Sequence, residues 1–289
     1  MSDIKLLALD LDGTLLGSDG LVPERNVAAI RAAELSGVTV TIATGRRFRD
    51  ARPIALEVDL NGPVLTHNGA LVKNPVTSEA LYYDLLSAES VLNIIEIGRV
   101  FGGDPLVSTD PHGEGQMLYE TVSETNTPLR RYIAWSDSIH GEKASDSVVR
   151  VDDLSKSARE SEVVHISYSG TVDAMREMEK ELLKGLESSV NILATVYPDR
   201  NFTLLDILPA GSSKASGLNF LANRLGIERN QILAVGDNHN DLEMLEFAGI
   251  GVMMGNADAC LLTRPEFYTT LKNDDCGVAE VIERFILGD

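Results

Sequence analysis

Apolar residues run unbroken through Leu6-Leu7-Ala8-Leu9 and stop abruptly at Asp10-Leu11-Asp12-Gly13-Thr14. A short continuous apolar run that ends in turn residues reads as a strand buried on both faces. The pattern then switches to helical spacing. Pro23 and Glu24 suit a first turn, Val27, Ile30 and Ala33 share one face, and Gly37 suits the stop. Val38–Ala43 is a second β-branched run, ending in Thr44-Gly45-Arg46. A helix over 47–58 and a short strand over Pro63–Thr66 follow. This alternation predicts a parallel sheet with right-handed crossovers.

Near Tyr82 the pattern changes. Ser87 suits the cap of a helix carrying Val91, Ile94 and Ile95, residues 102–116 read as a loop, and Met117–Val122 and Ser147–Val151 read as strands. Residues 123–146 and 152–162 show no clear period. Val163–Tyr168 reads as a strand, Met175, Met178, Leu182 and Leu186 as one helical face, and Val190–Tyr197 as another strand. The stretch reads as a separate small α/β domain. The parallel-sheet pattern returns with strands at Phe202–Ile207, Ile232–Val235 and Gly249–Met253. It also includes a helix opened by Ser212-Ser213-Lys214 and a closing helix over Gly277–Leu287. The expected division is a core of residues 1–82 and 195–289 with an inserted domain of 83–194.

Charge narrows the partners. Lysine and arginine total 25 against 44 acidic residues, a formal net charge of −19, which repels nucleic acid and anionic membranes. An anionic substrate then needs a local positive site. No apolar run reaches the roughly 18 residues of a membrane span. Met1–Lys5 leads directly into the first strand without a signal-peptide layout, so cytoplasmic residence is expected. Cys260 and Cys276 are too few for a disulfide framework and lack zinc-ligand spacing. A monomer or a homodimer fits this composition.

The candidate chemistry lies at strand ends. In open parallel sheets, ligands bind beyond the carboxyl ends of the strands. Asp10 and Asp12, Thr44-Gly45-Arg46, and Asp237 with Asn240 and Asp241 all follow apolar runs. Residues i and i+2 of a strand share a face, so Asp10 and Asp12 are expected to point together where the extended geometry persists. Clustered carboxylates need a cation or a shared proton. A hard cation such as Mg²⁺ takes carboxylate oxygens, with Asp10 and Asp237 as natural ligands. A carboxylate can then attack phosphorus, Asp12 can move protons, and Thr44 and Lys214 can hold phosphate oxygens.

In order, Asp10-Leu11-Asp12-Gly13-Thr14, Thr44-Gly45-Arg46, Lys214 and Gly236-Asp237-x-x-Asn240-Asp241 resemble the four motifs of the haloacid dehalogenase superfamily. Asn68-Gly69-Ala70, Met254-Gly255-Asn256-Ala257 and Asn273-Asp274-x-x-Gly277-Val278-Ala279 resemble further loops of its Cof-like, type IIB phosphatases. The resemblance implies a Rossmann-like, doubly wound α/β core with an inserted smaller α/β cap of the C2B type, since only the Thr44–Lys214 interval is long enough for a domain. It implies an Mg²⁺-dependent phosphatase acting on a small phosphorylated metabolite, with sugar phosphates first in mind. Asp10 is then the nucleophile and Asp12 the acid/base, with its backbone carbonyl on the metal. Asp237 is a metal ligand, and Leu11 (through its backbone), Thr44, Gly45, Lys214 and Asn240 contact phosphate. Asp241 stands behind them, steadying metal waters or Lys214. Arg46 suits either a substrate contact or an ion pair, and His239 a loop role. A phosphomutase or a non-catalytic phosphate-ligand-binding protein on the same fold are the alternatives.

Overall fold

The computed structural model describes residues 3–141 and 146–288. In chain order the first elements are β1 (Leu6–Leu9), α1 (Glu24–Leu35), β2 (Thr39–Ala43), α2 (Phe48–Glu57), β3 (Val64–Thr66), β4 (Leu71–Lys73) and β5 (Ala80–Tyr83). Then come α3 (Ala88–Val100), β6 (Leu106–Thr109), β7 (Gln116–Tyr119), α4 (Thr127–His140), β8 (Val148–Arg150), α5 (Leu154–Arg159), β9 (Val163–Gly170), α6 (Val172–Leu186), β10 (Val190–Tyr197) and β11 (Phe202–Pro209). The chain closes with α7 (Lys214–Leu225), β12 (Ile232–Gly236), α8 (Leu242–Phe247), β13 (Ile250–Met253), α9 (Ala259–Leu262), β14 (Tyr268–Thr269) and α10 (Gly277–Ile282). Two compact units result: one up to Tyr82 and from Ser212 onward, the other Tyr83–Gly211.

The first unit is a doubly wound sheet ordered β14-β13-β12-β1-β2-β3-β4-β5. β1 lies inside it, parallel to β12 on one side and β2 on the other. Its side chains alternate between two apolar layers. Leu7 and Leu9 join Ile30, Ala33, Val278 and Ile282 on one face. Leu6 and Ala8 join Leu218, Leu221, Met244 and Leu245 on the other. Both faces are buried, so the strand needs no polar alternation, and each buried leucine contributes about 1.5–3 kcal/mol.

The second unit is a six-stranded sheet ordered β10-β11-β9-β6-β7-β8. Ile94, Ile95, Leu154, Met175, Met178 and Leu182, from α3, α5 and α6, cover Val107, Ile166, Tyr168 and Leu205. Leu129 of α4 packs in a smaller cluster with Leu106, Met117 and Val148.

Several elements differ from expectation. The strand at 202–209 belongs to the second sheet, not the core, because it pairs antiparallel with β10 and β9. The turn at Pro198–Arg200, followed by left-handed Asn201, closes it onto β10 as a local hairpin. The expected boundary at 195 therefore falls inside β10. Residues 102–116 hold strand β6, short and flanked by glycines. The unpatterned stretches hold α4 and α5, whose first turns are capped by the side chains of Asn126 and Asp153. The closing helix is regular to Ile282, and Glu283–Leu287 winds wider. Among the described residues, no helix is long and apolar enough to cross a membrane.

Candidate active site

Parallel pairing of β1 with β2 and β12 brings Asp10, Thr44 and Asp237 to one edge of the first unit's sheet. Asp10 N–H still donates to Val235 O at 3.0 Å. The chain then leaves the strand. Leu15 N–H and Leu16 N–H return to the carbonyls of Asp10 and Leu11 at 3.2 and 2.9 Å, and Gly13 takes φ +81°. The extended geometry thus ends at Asp10, and the two acids part. Asp10 is buried and meets Lys214, while Asp12 is exposed and meets Arg46. Leu11, between them, has a fully buried side chain.

Lys214 opens α7, whose N-terminus is closed by a capping box between Ser213 and Ser216. Its ammonium donates to Asp10 Oδ1 and to Asp241 Oδ1, both at 2.6 Å, and all three side chains are buried. Asp241 Oδ2 accepts the backbone N–H groups of Asp237 and Asn238 at 3.0 Å each. Both Asp241 oxygens are therefore engaged, and it acts as a strut that aims Lys214. Gly236 makes this possible, since a β-carbon there would lie 2.5 Å from the Asp241 side chain.

Asp237 is half-buried and accepts from Thr14 Oγ1 at 3.4 Å. Burial pushes its carboxyl up to about 7, and the Asp241 charge adds to this. Burial likewise raises Asp10 well above the carboxylate range, with Lys214 opposing and Asp241 and Asp237 reinforcing. Burial works against the Lys214 charge, but Asp10 and Asp241 outweigh it and hold the ammonium above its usual value.

A second set of contacts surrounds Thr44, which is 1% exposed. Its Oγ1 accepts Arg46 N–H at 3.1 Å, which leaves its own proton to donate. Its carbonyl accepts Asn68 N–H at 3.0 Å. Asn68, held at φ +50°, accepts from Asn240 Nδ2 at 3.0 Å. Gly45 backs onto the Asn68 amide, which a β-carbon would approach at 3.3 Å. Asn68 thus ties Thr44, Gly45 and Asn240 together. Sequence reading marks Asn68 only as a loop residue; the available signal was Asn-Gly one residue beyond a strand end. His239 is exposed, and its backbone N–H donates to Asn238 Oδ1 at 2.7 Å.

Two later loops brace the turn after β1. Asn256 Nδ2 donates to Gly13 O at 2.8 Å, and Asn256 Oδ1 accepts Asn273 N–H at 2.9 Å. Asn273 Nδ2 donates to Leu16 O at 2.9 Å.

The donor set fits a hard divalent cation. Asp10, Asp237 and Asp241 each offer a carboxylate oxygen, all within 4.8 Å of one another. With Asp241 tied to Lys214 and to two backbone N–H groups, Asp10 and Asp237 are the acids best placed to hold it. Burial and the neighbouring acids raise the acidity constants of both.

The sequence profile of the haloacid dehalogenase-like hydrolases matches residues 7–282. A 5-amino-6-(5-phospho-D-ribitylamino)uracil phosphatase of Bacillus subtilis is 29% identical over 288 residues, 97% of each chain. An HMP-PP phosphatase of Cronobacter sakazakii is 30% identical over 261 residues, 89% of this chain and 86% of its own. A solved haloacid dehalogenase-like hydrolase from Bacteroides thetaiotaomicron superposes with a TM-score of 0.79 at 29% identity, covering 98% of this chain and all of its own. The chain therefore belongs to the haloacid dehalogenase-like hydrolase family, in its phosphatase branch.

Proposed function

We propose that this protein hydrolyses the phosphate monoester of a small metabolite, with Mg²⁺ as cofactor and an aspartyl-phosphate intermediate on Asp10. The observation that carries the reading is the buried Lys214 ammonium 2.6 Å from both Asp10 and Asp241, beside Asp237. It gives an anionic substrate a fixed positive group inside a protein of net charge −19.

Each residue then has a task. Lys214 occupies Asp10 Oδ1, so Oδ2 is the atom that attacks phosphorus as the bond to the leaving oxygen breaks. Asp12 gives a proton to that oxygen and later takes one from the attacking water. Thr44 donates its hydroxyl proton to a phosphate oxygen. Lys214, Asn240 Nδ2, and the backbone N–H groups of Gly45 and Leu11 supply further donors. Mg²⁺, held by Asp10, Asp237 and the Asp12 carbonyl, would neutralise the acids and phosphate charge. The name of the Bacillus subtilis relative points to a phosphorylated ribitylamino-uracil for the substrate, beside the sugar phosphates that the family resemblance brings first to mind.

A panel of phosphorylated sugars, polyols and pyrimidines, assayed with Mg²⁺ and with chelator, tests the reading. Phosphate release that needs Mg²⁺ and disappears in Asp10→Asn is the expected result. Full turnover in Asp10→Asn removes the nucleophile assignment.

A further inference from the structure

Arg46 lies in a motif whose other members serve the phosphate, yet its side chain turns to the other acid. Its Nε donates to Asp12 Oδ2 at 2.8 Å and its Nη2 to Asp12 Oδ1 at 2.5 Å. This is the parallel two-bond fork of a guanidinium on a carboxylate, which sets the carboxylate's plane as well as its place. Arg46 is itself fixed. Its N–H is bound to Thr44 Oγ1, and its carbonyl accepts His67 N–H at 3.0 Å. Asp12 has no such fixture of its own. It follows the end of β1, precedes Gly13 at φ +81°, and its side chain is 60% exposed. The only side-chain hydrogen bonds made by Asp12 among the described residues are those to Arg46. A carboxylate offers about four lone-pair sites, and the fork takes one on each oxygen. One stays open on each for a proton.

We infer that Arg46 is a positioning residue for the proton-transfer group Asp12, rather than a binder of the substrate phosphate. The inference rests on the phosphatase reading above. The guanidinium fork keeps the Asp12 carboxyl aimed at the leaving oxygen. There the P–O bond breaks while the bond from Asp10 Oδ2 to phosphorus forms, and the Asp12 proton passes to the departing oxygen.

The test compares leaving groups. An alkyl phosphate needs that proton, whereas p-nitrophenyl phosphate leaves as a stabilised anion and needs it little. In the release of the leaving group during the first turnover, Arg46→Gln is expected to lose about tenfold or more in rate on an alkyl phosphate, and no more than about threefold on p-nitrophenyl phosphate, at little cost in substrate Kd for either. Arg46→Lys, which supplies one donor instead of a fork, should recover part of the alkyl activity. Equal first-turnover losses on both substrates, or a weaker Kd with that rate unchanged, would overturn the inference in favour of phosphate binding. Melting temperatures of both variants separate misfolding from either outcome, and Arg46→Lys carries the comparison if Arg46→Gln unfolds. Asp10→Asn, run in parallel, reports on the phosphatase reading alone: retained activity there fails that reading whatever Arg46 does.

Discussion

Gly13 presents bare backbone to Asp237: a β-carbon at Gly13 would stand 2.3 Å from Asp237 Oδ2. Its φ of +81° is also one that a side chain rarely adopts. Gly13→Ala is therefore expected to push Asp237 aside and strain the loop together. We expect stability to fall by about 1–3 kcal/mol and Mg²⁺-dependent activity to fall further. Thermal unfolding and a Mg²⁺ titration check this; a variant with unchanged Mg²⁺ dependence contradicts it.

Lys214→Met removes the buried cation and leaves Asp10 and Asp241 facing each other. Unpaired buried charge costs roughly 3–5 kcal/mol, relieved in part by protonation. Phosphatase activity should fall at least about a hundredfold, since a donor aimed at transition-state charge is lost. Steady-state kinetics with denaturant unfolding would show both losses. Near-normal kcat would mean that Lys214 is a structural ion pair only.

The raised acidity constant of Asp237 sets a pH dependence. Below pH 7 the metal-free protein carries a proton at Asp237, whose value is about 7, and a metal must displace it. Apparent Mg²⁺ affinity should therefore weaken as pH falls through 7, approaching about tenfold per unit, and level off above it. The linked stability has the opposite sense. The folded state binds this proton more tightly than the unfolded chain, so metal-free stability gains from this group as pH falls from 7 toward 3.8. Calorimetric titrations in buffers of different ionisation enthalpy should show protons released on binding near pH 6; none released would exclude Asp237 as a ligand.

Asn273 is buried and donates its side-chain amide to Leu16 O. Asn273→Ala leaves that carbonyl without its donor, at a cost of about 1–3 kcal/mol. The turn after β1 then loses a brace. Melting temperature should drop, and kcat should fall with KM little changed. Intact kcat in a destabilised variant would limit Asn273 to holding the fold.

Much of the site was legible because chemistry interrupts hydrophobicity there. Asp10, Thr44 and Asp237 each end a run that had to be a buried strand, and parallel strands deliver their ends to one edge. Less legible was whatever depended on turn geometry. Nothing in the alternation of Asp10 and Asp12 announces that the strand stops between them. Asn68 looked like a turn residue, and its link to Asn240 spans 172 positions. The run Phe202–Ile207 reads correctly as a strand but falls to the wrong sheet, since an apolar run does not name its partner. Helix α4 hid because polar Ser136 is among its buried positions, leaving little apolar stripe to read.

The strut formed by Asp241 has a further consequence. It locks a third carboxylate beside Asp10 and Asp237, against a single ammonium. Fully ionised, the cluster is two charges short of neutrality, which is the charge of one divalent cation. A divalent cation bound there, as proposed above, would balance that charge and stabilise the first unit by mass action. The melting curve then reports cation binding: on the function proposed above, added Mg²⁺ should raise it, and more so at pH 8 than at pH 6.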